Sequence, residues 1–86
     1  MLHSLPLFHR LADQPVIVLG EGEAAGAKRR LLERAGAVVV GAENTQARLA
    51  FVALDEPETA ANELKARGLL VNVVDRPDLC DFTTPS

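Results

Sequence analysis

The sequence predicts a small α/β domain built on four parallel strands, and three observations carry that prediction. Short β-branched apolar runs alternate with helical patterns along most of the 86 residues. The first of these runs breaks into spaced glycines and then opens into a helix, in Val16-Ile-Val-Leu-Gly-Glu-Gly-Glu-Ala-Ala-Gly-Ala-Lys28. The chain also echoes itself, since Leu32-Glu-Arg-Ala-Gly36 before one apolar strand recurs as Leu64-Lys-Ala-Arg-Gly68 before another. Two βαβ units in tandem follow. Right-handed crossovers then set the parallel order 2-1-3-4, a minimal Rossmann-like sheet with two main helices.

Each element has its own signal. Residues 1–13 hold Leu2, Leu5, Leu7, Phe8 and Leu11 around Pro6, an extended arm ending in a short turn. Gln14-Pro15 breaks the chain, and residues 16–19 form the first strand. The first helix runs over 23–35, with Ala24, Ala27, Leu31 and Ala35 on its inner face, Leu32 beside them, and Lys28, Arg29, Glu33 and Arg34 opposite. Gly36 stops it. Residues 37–40 are the second strand, and a polar connection leads to a third at 49–54. Asp55-Glu56-Pro57 starts a second helix over 57–67, which buries Ala60, Ala61 and Leu64 and stops at Gly68. The fourth strand is 69–74, followed by a tail anchored by Leu79 and Phe82. About eight residues link the second strand to the third, reaching roughly 26 Å when extended, too short to include a helix. One sheet face is therefore expected to be thinly covered, to be completed by the N-terminal arm, a ligand or a second subunit.

Composition fixes the broad class. Eighty-six residues make one domain, 1–86, and 48% apolar with 24% charged is globular, without a run long enough to cross a membrane. With three Phe and neither Trp nor Tyr, the core must come from Ala, Val and Leu. A net charge of −3 and dispersed cations argue against nucleic acid, so Arg29, Arg30 and Arg34 read as a solvated helix face. The single Cys80 forms no internal disulfide, and no leader pattern opens the chain, which points to the cytoplasm. Cys80, His3 and His9 lack a tight ligand spacing, so no metal site is expected and Cys80 reads as a half-buried, inert thiol.

Gly20, Gly22 and Ala25 spell GxGxxA, the small-residue variant of the dinucleotide-binding fingerprint. Gly20 allows the tight turn, Gly22 lets the backbone approach a pyrophosphate, and Ala25 lets the helix lie close to the sheet. The peptide N–H groups of Gly22, Glu23 and Ala24 at the helix start then face the anion, with the side chain of Glu21 beside it. The switch point between the first and third strands lies beside this turn, so a ligand there also meets Leu54 and Asp55. Glu43, about twenty residues beyond the glycines, is placed to accept from a ribose 2′-OH, which favours NAD over NADP; Arg48 is the nearby cation that would favour a phosphate.

The sequence resembles the NAD-binding domain of siroheme synthase, the precorrin-2 dehydrogenase and sirohydrochlorin ferrochelatase. The resemblance rests on Leu5-Pro-Leu-Phe8, the glycine stretch to Lys28, Leu31-Leu-Glu-Arg-Ala-Gly-Ala37, Val71-Asn-Val-Val-Asp-Arg-Pro77 and Leu79-Cys-Asp-Phe-Thr-Thr-Pro-Ser86, in family order. It implies NAD as cofactor, a tetrapyrrole as substrate, Asn72 at the nucleotide and Asp75 as the catalytic carboxylate. Asp75 would take a proton from the macrocycle while hydride passes to NAD⁺, or accept pyrrole protons as a metal enters. Read from the residue alone, Asp75 ends a strand and caps the turn before Pro77.

This chain departs from the family at several points. Glu21 stands where the family has glycine, and a carboxylate beside a pyrophosphate costs on the order of 1–3 kcal/mol unless it turns to water. Ala27-Lys28 replaces Arg-Lys, Leu54 replaces a threonine, and about thirty residues forming another strand and connection are missing after Val40. Two readings follow: a minimal dehydrogenase, or an inactive truncated homologue serving as a nucleotide-binding or homo-oligomeric module.

Overall fold

A computed structural model describes residues 3–4 and 11–83. The elements are β1 (His3–Ser4), β2 (Pro15–Gly20), α1 (Gly22–Arg34), β3 (Val38–Val40), β4 (Leu49–Ala53), α2 (Glu58–Ala66), β5 (Leu70–Val73), a single 3-10 turn (Pro77–Leu79) and β6 (Phe82–Thr83). The main sheet is wholly parallel in the order β3-β2-β4-β5, which is the expected 2-1-3-4. His3–Ser4 pairs in parallel with Phe82–Thr83 as a separate two-stranded piece. The rest of the expected arm, including 5–8, and the Thr84-Pro85-Ser86 end lie outside the described residues. Among those described, no helix is long and apolar enough to cross a membrane.

Both faces of the sheet are covered, which is why its strands are near-continuous apolar runs. Val16, Val18 and Phe51 point to one side and pack with Leu11, Ala25, Leu32, Ala37 and Phe82. Ile17, Ala50, Val52, Val71 and Val73 point to the other and pack with Ala47, Ala61, Leu64 and Leu69. Phe51 and Phe82 meet edge to face, ring centroids 5.5 Å apart at 87°, a geometry contributing about 0.5–1.5 kcal/mol beyond buried area.

The repeated Leu-x-x-x-Gly signature proves to be a pair of identical helix stops. Gly36 (φ +81°) donates to Glu33 O and Ala37 to Leu32 O; Gly68 (φ +90°) donates to Lys65 O and Leu69 to Leu64 O. Each is a Schellman motif closed by an apolar pair, Leu32 with Ala37 and Leu64 with Leu69.

The inner face of α1 is the expected one only in part, with Leu32 in the core and Ala35 packed against it. Ala25 and Leu32 are buried, Leu31 and Ala35 are half-buried, and Ala24 and Ala27 are exposed. Lys28, expected outside, is half-buried with its ammonium 5.7 Å from the Phe51 ring centroid, and Arg29 reaches in to donate to Gly20 O at 2.8 Å. The buried stripe is therefore 25-28-29-32, a step of i, i+3, i+4, i+7. It includes two long cationic side chains whose stems pack while their heads find partners. Scoring both as polar rotates the face by one residue, about 100°.

The crossover over 41–48 contains no helix, as its length requires. Asn44 Oδ1 accepts from the N–H groups of Gln46 and Ala47, both at 2.8 Å. Arg67, at the end of α2, donates to Ala42 O at 2.7 Å and Asn44 O at 2.5 Å. This loop buries Ala47, while Leu19 and Val40 beside it stay half-buried, so this part of the face is the thinner one.

The tail is held by more than Leu79 and Phe82. Leu79 is half-buried and Phe82 fully buried. Along the outer edge of β5, the Val71 N–H donates to Asp81 Oδ2 at 3.0 Å and the Val73 N–H to Cys80 Sγ at 3.1 Å, while Asp81 N–H donates to Val71 O at 2.7 Å. Side chains thus stand in for a fifth strand.

Candidate functional site

The carboxyl ends of β2, β4 and β5 lie along one margin of the sheet, the side on which open parallel sheets bind ligands. Gly20 ends β2 at φ +116°, and a Cβ there would overlap the Ala53 carbonyl oxygen and come within 2.8 Å of its carbon. No other residue fits. Glu21 is extended (φ −131°, ψ 176°) and caps α1 without a side-chain hydrogen bond. Gly22 opens the helix at φ +88°, and a Cβ built on it meets nothing within 4 Å. Glu21 to Ala24 are all exposed, and the first N–H groups of a helix have no partner within it.

Behind the turn, Arg29 donates to the Gly20 carbonyl from about two turns into α1. Arg29 was not among the expected site residues. The signal that finds it is its spacing of four from Ala25, which puts a cation on the small-residue face beneath the glycines.

Leu54 and Asp55 follow Ala53, the register partner of Gly20, and both are exposed beside the turn. Asp75 follows β5, two strand spacings from β2 and so on the order of 10 Å across the margin. Its φ of +63° is a left-handed conformation that few residues other than Gly, Asn and Asp adopt. Next to it Arg76 forms a fork, bonded to Asp78 at 3.1 and 3.0 Å and to Glu58 in the first turn of α2 at 2.6 Å. Hydrogen bonds from Arg76 hold the Glu58 and Asp78 carboxyls below their ordinary values, and Asp78 and Glu58 in turn raise Arg76.

Two expected site residues sit apart. Glu43 lies on the 41–48 crossover at the β3 side, exposed, with its carboxylate folded against Gly41. Asn72 is inside the sheet in register with Phe51, 8% exposed, and donates from Nδ2 to Phe82 O at 2.9 Å. Its amide ties β5 to the tail. Cys80 donates to Val73 O at 3.2 Å as well as accepting from that residue, so its thiol is engaged in the same edge.

A family model described as "Putative NAD(P)-binding" matches residues 41–86, more than half of the sequence. The chain belongs to this NAD(P)-binding family. It is also similar over 99% of its length to siroheme synthases: 34% identical to that of Methylobacillus flagellatus over 115 residues, 39% to that of Ectopseudomonas mendocina over 113, and 37% to siroheme synthase 1 of Cronobacter sakazakii over 115. Those alignments cover 25%, 24% and 24% of the relatives, so the chain spans about a quarter of their length. An alignment of 115 residues against a chain of 86 leaves roughly thirty positions without a counterpart here, the number expected to be missing after Val40. This is a siroheme-synthase-like NAD-binding domain.

Proposed function

We propose that this NAD(P)-binding domain serves a precorrin-2 dehydrogenase in siroheme formation and takes NAD rather than NADP. One observation supports it above the others: Gly20 and Gly22 leave a strand-to-helix turn with an open backbone at the switch point of the sheet, in a chain whose relatives are siroheme synthases. The residues present fit the cofactor, because the space in front of Gly22 is clear and no side chain caps the first turn of α1. The N–H groups of Gly22, Glu23 and Ala24 would hold the pyrophosphate, with the Glu21 side chain turned to water. Glu43 would accept from the ribose 2′-OH, and Leu54 and Asp55 would flank the ring-bearing half. Bound NAD⁺ would supply the hydride acceptor. Asp75, exposed and reached from the same margin, would accept the proton released from the tetrapyrrole as the hydride leaves it, or the pyrrole protons displaced when ferrous ion enters as substrate. Catalysis of this kind belongs in the cytoplasm, where the nicotinamide pool is.

Calorimetric titration with NAD⁺, NADH and NADPH tests the cofactor reading. NADH is expected to bind at least about tenfold more tightly than NADPH, and Glu43→Gln to narrow that ratio. Absence of binding by all three sinks the reading. A second reading, an inactive nucleotide-binding or homo-oligomeric module, draws on the carboxylates of Glu21, Glu23, Asp55 and Asp75 along the margin and on the quarter-length span. Nucleotide binding without precorrin-2 turnover would favour it.

A further inference from the structure

The two edges of the main sheet are finished differently. Along β5 the outward N–H groups are taken by Asp81 and Cys80. Along β3 no strand or side chain takes them among the described residues. Parallel ladders use alternate residues, and Val38 donates to Gln14 O, so Val38 and Val40 face β2 and the N–H and C=O of Val39 face outward. Val38 is 50% exposed. The segment 35–42, Ala-Gly-Ala-Val-Val-Val-Gly-Ala, carries no charge and no proline, so it lacks the devices that blunt an edge. In a doubly wound sheet of order 3-2-1-4, a further strand lies outside the second one. That is the outer side of β3, and in this chain the short crossover over 41–48 supplies no strand there.

We infer that the edge of β3 pairs antiparallel with β3 of a second copy of this chain, about a two-fold axis through Val39, giving a continuous eight-stranded sheet. A second copy fits because the segment is self-complementary. Antiparallel pairing sets Val38 against Val40 on both sides, and nowhere in 35–42 do like charges meet. Three residues per side make a small interface, so the dimer is weak and depends on concentration.

Sedimentation equilibrium of the unaltered chain from about 10 µM to 1 mM, with amide hydrogen exchange at both limits, tests this. Expected are a reversible monomer–dimer equilibrium, a Val39 amide protected only at high concentration, and about tenfold weaker association in Val38→Lys, which alters an exposed side chain and leaves the fold intact. A monomer at every concentration with Val39 exchanging freely overturns the inference. So does a dimer indifferent to Val38→Lys. Val39 protected in a monomer at all concentrations overturns it too, by assigning the edge to the chain's own residues.

Discussion

Both helices begin at the carboxyl margin of the sheet without a side-chain cap, but α1 follows Gly20 and opens on Gly22, both at positive φ, whereas α2 follows Asp55-Glu56-Pro57 and has Glu58 tied to Arg76. Each helix has a carboxylate in its first turn, Glu23 in α1 and Glu58 in α2, but at α2 it is locked by Arg76 to the turn after β5. At α1 the backbone is pinned from behind by Arg29 and left open in front. One start is finished by the protein itself. The other has the form of a socket.

The comparison breaks most visibly at Gly20. Gly20→Ala forces a Cβ into the Ala53 carbonyl at a left-handed φ, and overpacking plus backbone strain should cost ~3–6 kcal/mol. A loss of at least about 12 °C in melting temperature is expected, at about 4–8 °C per kcal/mol; a shift of a few degrees would show that the turn can be rebuilt. Next comes Asp75→Asn. Asn tolerates the same φ, so stability should hold, while precorrin-2 turnover falls ~10²–10⁴-fold if the carboxylate is the base. Equal turnover in parent and variant would leave Asp75 as a turn residue only.

Arg29→Gln probes the support of the turn. Losing a charge-assisted bond to Gly20 O should lower stability by about 1–2 kcal/mol and weaken NADH binding, with NADPH weakened in proportion. Intact affinity at reduced stability would separate the two roles. The smallest effect belongs to the α2 start. Glu58 and Asp78 are held below their ordinary 4.5 and 3.8 by hydrogen bonds from Arg76. A depressed carboxyl stabilises the fold above its unfolded value and stops doing so as pH falls through its folded one. Arg76→Gln should therefore melt slightly below the parent at pH 6, and the gap should narrow as pH falls below the ordinary carboxyl values and through the lowered folded ones. Curves that stay apart in acid would mean that packing, not the ion pairs, holds this turn.

Much of the fold was legible because it depends on backbone chemistry that single residues announce. β-Branched runs such as Val16-Ile-Val and Val38-Val-Val, two helix-stopping glycines and Pro57 placed every main element to within about two residues, and handedness supplied the order. What escaped depends on where long side chains end. Lys28 and Arg29 look solvent-facing by type, yet one covers Phe51 and the other bonds Gly20. Cys80 and Asp81 look like tail, yet they complete a sheet edge. Within the site, the glycine turn could be read because each glycine has a geometric reason. Asn72 could not, because its motif position is equally served by a bond to Phe82 O inside the core.

The contrast between Gly20 and Gly22 also bears on how such a chain drifts. Every residue except glycine carries a Cβ, so position 20 has no neutral neighbours in sequence space: packing against Ala53 would preserve this glycine in a lineage that had long ceased to bind nucleotides. At position 22 the surrounding space is empty, and an L-residue costs only about 1–2 kcal/mol of backbone strain. A lineage freed from ligand binding would let Gly22 go first, toward Asn or Asp. Gly20 is a record of the fold, and Gly22 is the position at which loss of the ligand would first be written.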